Sequence, residues 1–336
     1  MKNPVLFRKL LLSWYRRSRR DLPWRRTRDP YRIWISEIML QQTRVETVVP
    51  YYERFLRQFP SLESLAAASD EALLTAWSGL GYYARARNLR KAARVLIGLQ
   101  RFPRDYNALR ALPGIGDYTA AAIASIAFGQ PYAALDGNVA RVLARLINEA
   151  GDVRANGTKR RLQAAARALL DERRPGDFNQ AMMELGATIC TAREPKCRLC
   201  PVASLCDAWR DGRQRELPVR RAAAGKKQMH VELLIIQRRG RVLMRQRPAS
   251  SPLLAGFWEF PDRDHIAATA TEVVGEFRHA ITNHDYRVRV TRGTIDRKPP
   301  GFHWVRWDNL HSIPLSAASK KAVLCLSRQR SNGFTS

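Results

Sequence analysis

From the N-terminus to about residue 207, apolar positions recur with a helical period, interrupted by short polar breaks. Val139, Val142, Leu143, Leu146 and Ile147 follow i, i+3, i+4, i+7, i+8 spacing, and Leu162, Ala165, Ala166 and Leu169 repeat it. Such stripes predict amphipathic helices packed on a common core, so this half reads as all-α. Between Trp209 and Lys227 the periodicity lapses into seven basic residues, two acidic ones, two glycines and a proline, which is linker composition. Beyond it the period changes to two. His230–Gln237 and Arg241–Arg245 flank Arg238-Arg239-Gly240 as a hairpin would, and Tyr286, Val288 and Val290 alternate with polar neighbours. Leu315, Ala318, Ala322 and Leu326 predict a closing helix. The expected organisation is a mainly α domain over 1–207, a basic linker over 208–227 and a smaller α+β domain over 228–336.

The composition adds a statement about partners. Of 336 residues, 58 are Lys or Arg and 30 Asp or Glu, a formal net charge of +28, while 45% are apolar and 9% aromatic. A chain that can bury real cores and still carries this excess is a folded polycation, attracted to polyanions such as nucleic acid. Its longest apolar runs, such as Ala120–Phe128, fall short of the ~18–20 residues that a membrane helix needs. The basic N-terminal stretch has too short an apolar run for a secretory signal. The expectation is a soluble, intracellular monomer of the cytoplasm or nucleoid.

Four of the five cysteines, Cys190, Cys197, Cys200 and Cys206, fall in the pattern C-x6-C-x2-C-x5-C, which can bring four thiolates around one centre, zinc or a 4Fe-4S cluster. Cys325 stands apart as a core residue. In Leu112-Pro113-Gly114-Ile115-Gly116-Asp117-Tyr118-Thr119, two glycines permit a tight turn whose following helix offers free N–H groups to a phosphate. Asp136, just ahead of the Val139 stripe, reads as a helix N-cap, a role compatible with facing a cleft. Glu37, among Ile35, Ile38, Met39 and Leu40, is either an outward surface acid or a carboxyl with a raised pKa; taken alone, the pattern favours the surface.

Taken together these segments resemble adenine DNA glycosylases of the MutY family. Leu22-Pro23-Trp24-Arg25, Asp29–Trp34, Ser36–Thr43, Gly79–Leu89, the Gly114/Gly116 hairpin, Leu135–Val139 and the cysteine loop come in the family's order across residues 5–210. Leu254–Pro261 continues the match more weakly. The resemblance implies a helix-hairpin-helix glycosylase fold with an iron-sulfur loop, followed by a Nudix-related, MutT-like domain. It implies excision of adenine opposite 8-oxoguanine or guanine in double-stranded DNA. By the same resemblance Glu37 is the catalytic acid, Asp136 stabilises the sugar cation, and Tyr118 and Asn138 orient them. Gln42 and Tyr82 enter the base stack, with Arg25, Leu80, Gly114 and Gly116 also counted as DNA-binding residues, and the four clustered cysteines ligate a 4Fe-4S cluster.

The endonuclease III-like branch of the fold carries a Schiff-base lysine two residues after the second hairpin glycine. Here that position is Tyr118, which points to a monofunctional glycosylase. No R-E-x-x-E-E acid cluster follows Lys227, so pyrophosphatase chemistry is not expected. The segment 261–276 is too short for the helix usual there. The family's Phe-Ser-His loop stands as Ile281-Thr282-Asn283 with His284, where Thr282, Asn283 and His284 are expected to read the lesion. Arg278, Arg287 and Arg289 are expected to face DNA.

Overall fold

The structure is a computed structural model describing residues 3–220, 227–248, 250–251, 253–281 and 284–332. Helices dominate up to residue 210: α1 (Pro4–Ser18), α2 (Pro30–Leu40), α3 (Val45–Gln58), α4 (Leu62–Ala67), α5 (Asp70–Trp77), α6 (Ala84–Gly98), α7 (Tyr106–Arg110), α8 (Asp117–Phe128), α9 (Gly137–Leu146), α10 (Asn156–Leu169), α11 (Pro175–Thr188) and α12 (Asp207–Arg210). Local chemistry sets their starts. Asn3, Asp29, Ser69, Asp105 and Asp136 each cap a helix by accepting a backbone N–H, and proline occupies the first turn of α1, α2 and α11. The predicted stripes of α9 and α10 meet α1 and α11 in one core, with Leu11, Leu143, Leu162, Leu169 and Ala181 fully buried.

The second fold class begins where the period changes. Six strands, β1 (Lys227–Arg238), β2 (Arg241–Gln246), β3 (Trp258–Glu259), β4 (Thr269–Ile281), β5 (His284–Thr294) and β6 (Phe302–Arg306), form a sheet of order β3-β2-β1-β5-β4 with β6 on β2. The β1–β2 hairpin turns at Arg239 and Gly240, both with positive φ, as the Arg-Gly pair predicts. Helix α13 (Ala317–Asn332) covers one face through Ala322 and Leu326, against Leu233, Ile235, Val288 and Val290. The short 261–276 segment holds only a single 3-10 turn, Arg263–His265, ahead of β4.

Compactness divides the chain into one unit of Met1–Ala66 with Asn88–Ala222 and a second of Ala67–Arg87 with Ala223–Ser336. Residues 67–87 therefore group with the sheet, whereas the sequence expectation placed all of 1–207 in one helical domain. Within the second unit Tyr83 lies 4.1 Å, ring to ring, from the buried Phe257, and Arg87 donates to the carbonyl of Ala255. The expected linker also differs. Leu217 is buried, its carbonyl accepts from Arg145, and Val153 donates to Val219, so the chain stays on the first unit through residue 219. A single buried leucine anchors a segment whose composition reads as solvated.

Candidate active site

A cavity of about 850 Å³ in the first unit is lined by Glu37, Tyr118, Asp136 and Asn138 together with Arg25, Gln42, Gly116 and Glu184. Four elements supply the chemistry. Helix α2 carries Glu37 and is buried at every position from Ile33 to Met39, so no outward face exists for an acid. Glu37 is 4% exposed, which corrects the surface reading. Burial pushes its carboxyl up to about 7, with the neighbouring Asp136 adding to the rise and the Tyr118 hydrogen bond and Arg25 opposing it. Tyr118, in the first turn of α8, donates to Glu37 Oε2 at 2.5 Å. Burial and the adjacent Glu37 in turn hold the Tyr118 phenol protonated.

Asp136 is the N-cap of α9: Oδ1 accepts from Val139 N at 2.7 Å and Oδ2 from Asn138 Nδ2 at 2.9 Å. Its backbone is extended, so the cap leaves the carboxyl facing the cavity. Burial raises its pKa, while these hydrogen bonds favour the anion. Asn138 is held by Arg141, whose Nη2 donates to Asn138 Oδ1 and Gly186 O and whose Nε donates to Cys190 O. One arginine thus links the cysteine loop to the Asp136 carboxyl.

Two buried groups in the first unit, Glu184 and Arg145, escaped the sequence reading, and Arg25, which it named, is held by the first of them. Glu184 is fully buried, yet burial is outweighed by hydrogen bonds from Arg20 and Arg25, and its pKa falls to about 2. Arg25 reaches Glu184 Oε2 at 2.7 Å and lies over the Tyr15 ring. Its guanidinium is spent inside the cavity wall and not offered to a backbone phosphate from outside. The signal was an acid on the apolar stripe Ala181, Leu185 of α11. The second group, Arg145 of α9, is 1% exposed and donates to Leu217 O, Thr191 O, Ala192 O and Cys190 Sγ.

The hairpin turns where its glycines were expected to allow it. Gly114 has φ +78°, and a Cβ there would stand 2.6 Å from the Asn88 Cβ, so both conformation and space demand glycine. A Cβ at Gly116 would meet nothing within 4 Å, and Gly116, the N-cap of α8, lines the cavity. Gln42 (φ 59°) and Tyr82 (φ 48°) both adopt the left-handed region, which side chains favour little, and Tyr82 is 50% exposed. Leu80, by contrast, is 5% exposed and packed inside the second unit. Thr282 and Asn283 lie outside the described residues; His284 opens β5, stacked on Tyr286 at 5.9 Å.

The four loop cysteines are free and half-buried, and Cys190, Cys200 and Cys206 pack against the α1–α9–α11 core. Among the described residues no group of three or more His, Cys, Asp or Glu side chains is gathered as a metal site. The donor set itself, four thiols on one loop fastened by Arg145, fits a thiolate-ligated group. Cys325 is half-buried beneath β4, near Gly275. No helix among the described residues is long and apolar enough to cross a membrane.

Residues 35–189 match the model of the HhH-GPD superfamily base excision DNA repair proteins, and residues 231–324 match a NUDIX domain. The chain is 36% identical to an adenine DNA glycosylase of Homo sapiens over 94% of its own length and 73% of that protein's. It is 34% identical to one from Schizosaccharomyces pombe, covering 76% and 68% respectively. Among solved structures, a thermostable thymine-DNA glycosylase superposes with a TM-score of 0.57 at 33% identity over 62% of this chain and 97% of that one. An endonuclease III–DNA complex, at 24% identity and a TM-score of 0.53, shares the fold. The order of motifs, the buried pair of carboxyls beside the hairpin and the likeness over nearly the whole chain agree: this chain belongs to the adenine DNA glycosylase (MutY) family.

Proposed function

We propose that this protein excises adenine mispaired with 8-oxoguanine or guanine in double-stranded DNA, by hydrolysis of the N-glycosidic bond and without lyase chemistry. The observation that carries this reading is the Tyr118–Glu37 hydrogen bond of 2.5 Å in a cavity that also holds Asp136. Adenine leaves poorly as an anion, so the reaction needs a proton donor at the base and an anion near the sugar. Glu37, with a pKa about 7, is protonated in a substantial fraction of molecules at neutral pH and can give that proton to the ring nitrogen. Tyr118 occupies Oε2, which directs delivery through Oε1.

As the glycosidic bond breaks, its electron pair stays with the protonated base, which leaves neutral, and positive charge develops at the sugar carbon. Asp136, oriented by Val139 N and Asn138, stands as the counter-charge; water then adds to that carbon and gives up a proton. The target nucleotide must first leave the stack, at a cost of a few kcal/mol, which Tyr82 and Gln42 would offset as wedges and the α8 terminus as a phosphate contact. Tyr118 stands where a lyase would carry its lysine, so no amine is offered to the sugar. Cys190, Cys197, Cys200 and Cys206 would hold a 4Fe-4S cluster, whose thiolate-bound iron would tie the loop together and not enter bond-breaking. In the second unit, Thr282, Asn283 and His284 would read the lesion opposite the adenine.

The test is single-turnover cleavage of a duplex with one central 8-oxoguanine:adenine pair, with strand breaks revealed by alkali. Wild-type protein should produce breaks only after alkali and give no borohydride-trapped adduct. Glu37→Gln, which keeps the shape but has no proton to give, should bind the duplex and leave it uncut; wild-type rates in that variant would overturn the reading.

A further inference from the structure

We propose that the open face of the sheet in the second unit carries a phosphate-binding site built from Arg278, Arg287 and His230. The inference rests on the proposed action on DNA only for the source of the phosphate. The three residues lie in one row across three strands. Arg278 of β4 is directly opposite Arg287 of β5 in antiparallel register, and Arg287 is level with His230 of β1 in parallel register. All three are exposed, and they line a cavity of about 780 Å³ that the 3-10 turn Arg263–His265 also borders.

The rows on either side show what is unusual. In the next row inward, Arg289 stands between Glu276 and Glu232 and pairs with Glu276 at 2.9 Å, while Glu232 is taken by Thr291 Oγ1 at 2.7 Å and by Arg263. In the row outward, Asp285 receives Gln228 at 3.4 Å. Glu276 and Glu232 are therefore engaged, and of the two further acids that line the cavity, Asp262 and Asp264, the first accepts from Asp264 N. Among the described residues no ion pair reaches Arg278 or Arg287. Like charges opposite each other across an antiparallel ladder have Cβ atoms ~5 Å apart and destabilise the sheet. An Arg–Arg–His row without an ion pair of its own, beside a row in which Arg289 is paired, is the arrangement that a bound dianion or a run of phosphates would neutralise, with each guanidinium able to bind two oxygens.

The test uses the full chain. The double variant Arg278→Gln with Arg287→Gln is compared with wild type for affinity to an undamaged duplex between 50 and 200 mM salt, so that the readout does not depend on adenine excision. Loss of two phosphate contacts should flatten the slope of log affinity against log salt by about 1.8. Arg289→Gln, which removes an arginine already paired, should flatten it clearly less. In parallel, inorganic triphosphate is titrated while thermal unfolding is followed; it should raise the wild-type midpoint and leave that of the double variant unmoved. Because removing two facing cations relieves repulsion, the double variant should fold at least as stably without anion. A flattened slope alone names the DNA backbone as the source, and loss of the triphosphate shift alone names the phosphates of a free nucleotide. If neither changes, or if Arg289→Gln does as much as the double variant, the site is overturned.

Discussion

At the residue scale, Glu37 concentrates the site's chemistry and its cost. Its folded pKa of about 7 lies above the ordinary 4.5, so the fold binds a proton more tightly than the unfolded chain does. The associated stability is complete below pH 4.5 and is lost as pH rises through about 7. At pH 8 the buried charge costs on the order of 3 kcal/mol. Glu37→Gln should therefore unfold at a higher temperature than wild type at pH 8 and at a similar one at pH 4.5, as calorimetry would show. Excision by the wild type should fall as pH rises through about 7, where the acid loses its proton; a rate that climbs steadily to pH 9 would exclude Glu37 as donor. Asp136→Asn separates two roles. Asparagine caps helices as well as aspartate, so the melting temperature should hold within a few degrees while excision drops by at least a hundredfold. Retained activity would reduce Asp136 to the cap.

At the scale of elements, α9 joins the candidate site to the cysteine loop: its N-cap is Asp136, its first turn carries Asn138, its second Arg141, and its last Arg145. Arg145 is buried, has no acidic partner among the described residues, and is satisfied by carbonyls of Thr191, Ala192 and Leu217. Arg145→Met keeps much of the volume and loses those bonds, leaving carbonyls unsatisfied at ~1–3 kcal/mol each. The variant should lose several kcal/mol in urea unfolding, and its loop cysteines should react faster with a thiol reagent. Equal labelling rates would show that Arg145 does not fasten the loop. The hairpin gives a second contrast. Gly114→Ala meets Asn88 and a positive φ, and should destabilise the fold, whereas Gly116→Ala has open space and should weaken DNA binding with little change in melting.

For the whole molecule, the unexpected membership of residues 67–87 in the second unit matters most. Removing residues 228–336 would uncover Leu74 (1% exposed) and Tyr83 (8% exposed), which the sheet unit buries. A chain ending at residue 227 should therefore bind a hydrophobic dye and melt well below the intact protein, in addition to any loss of preference for 8-oxoguanine over guanine opposite adenine. A truncated chain as stable as the intact one would mean that 67–87 refolds onto the helical core.

Much of this was legible in one dimension. Periodicity of 3.6 and then 2 foretold the helical and sheet halves, because each residue's side of an element follows from its spacing alone. The N-cap at Asp136, the turn at Gly240 and the hairpin glycines were readable for the same reason: they depend on local backbone chemistry. Only the tertiary structure decided the rest. Glu37 lies on a helix buried all round, so no stripe marks its burial; it took the packing of α8 and α9 to bring Tyr118 and Asp136 to it and raise its pKa. Arg25, read as a DNA contact, turned inward because Glu184, 159 residues away, is buried and needs a cation. Among three strand arginines the sequence shows no difference, but register across β1, β4 and β5 neutralises Arg289 and sets Arg278 against Arg287. Local rules determine which element a residue joins, whereas burial and charge compensation depend on which distant residues that element meets.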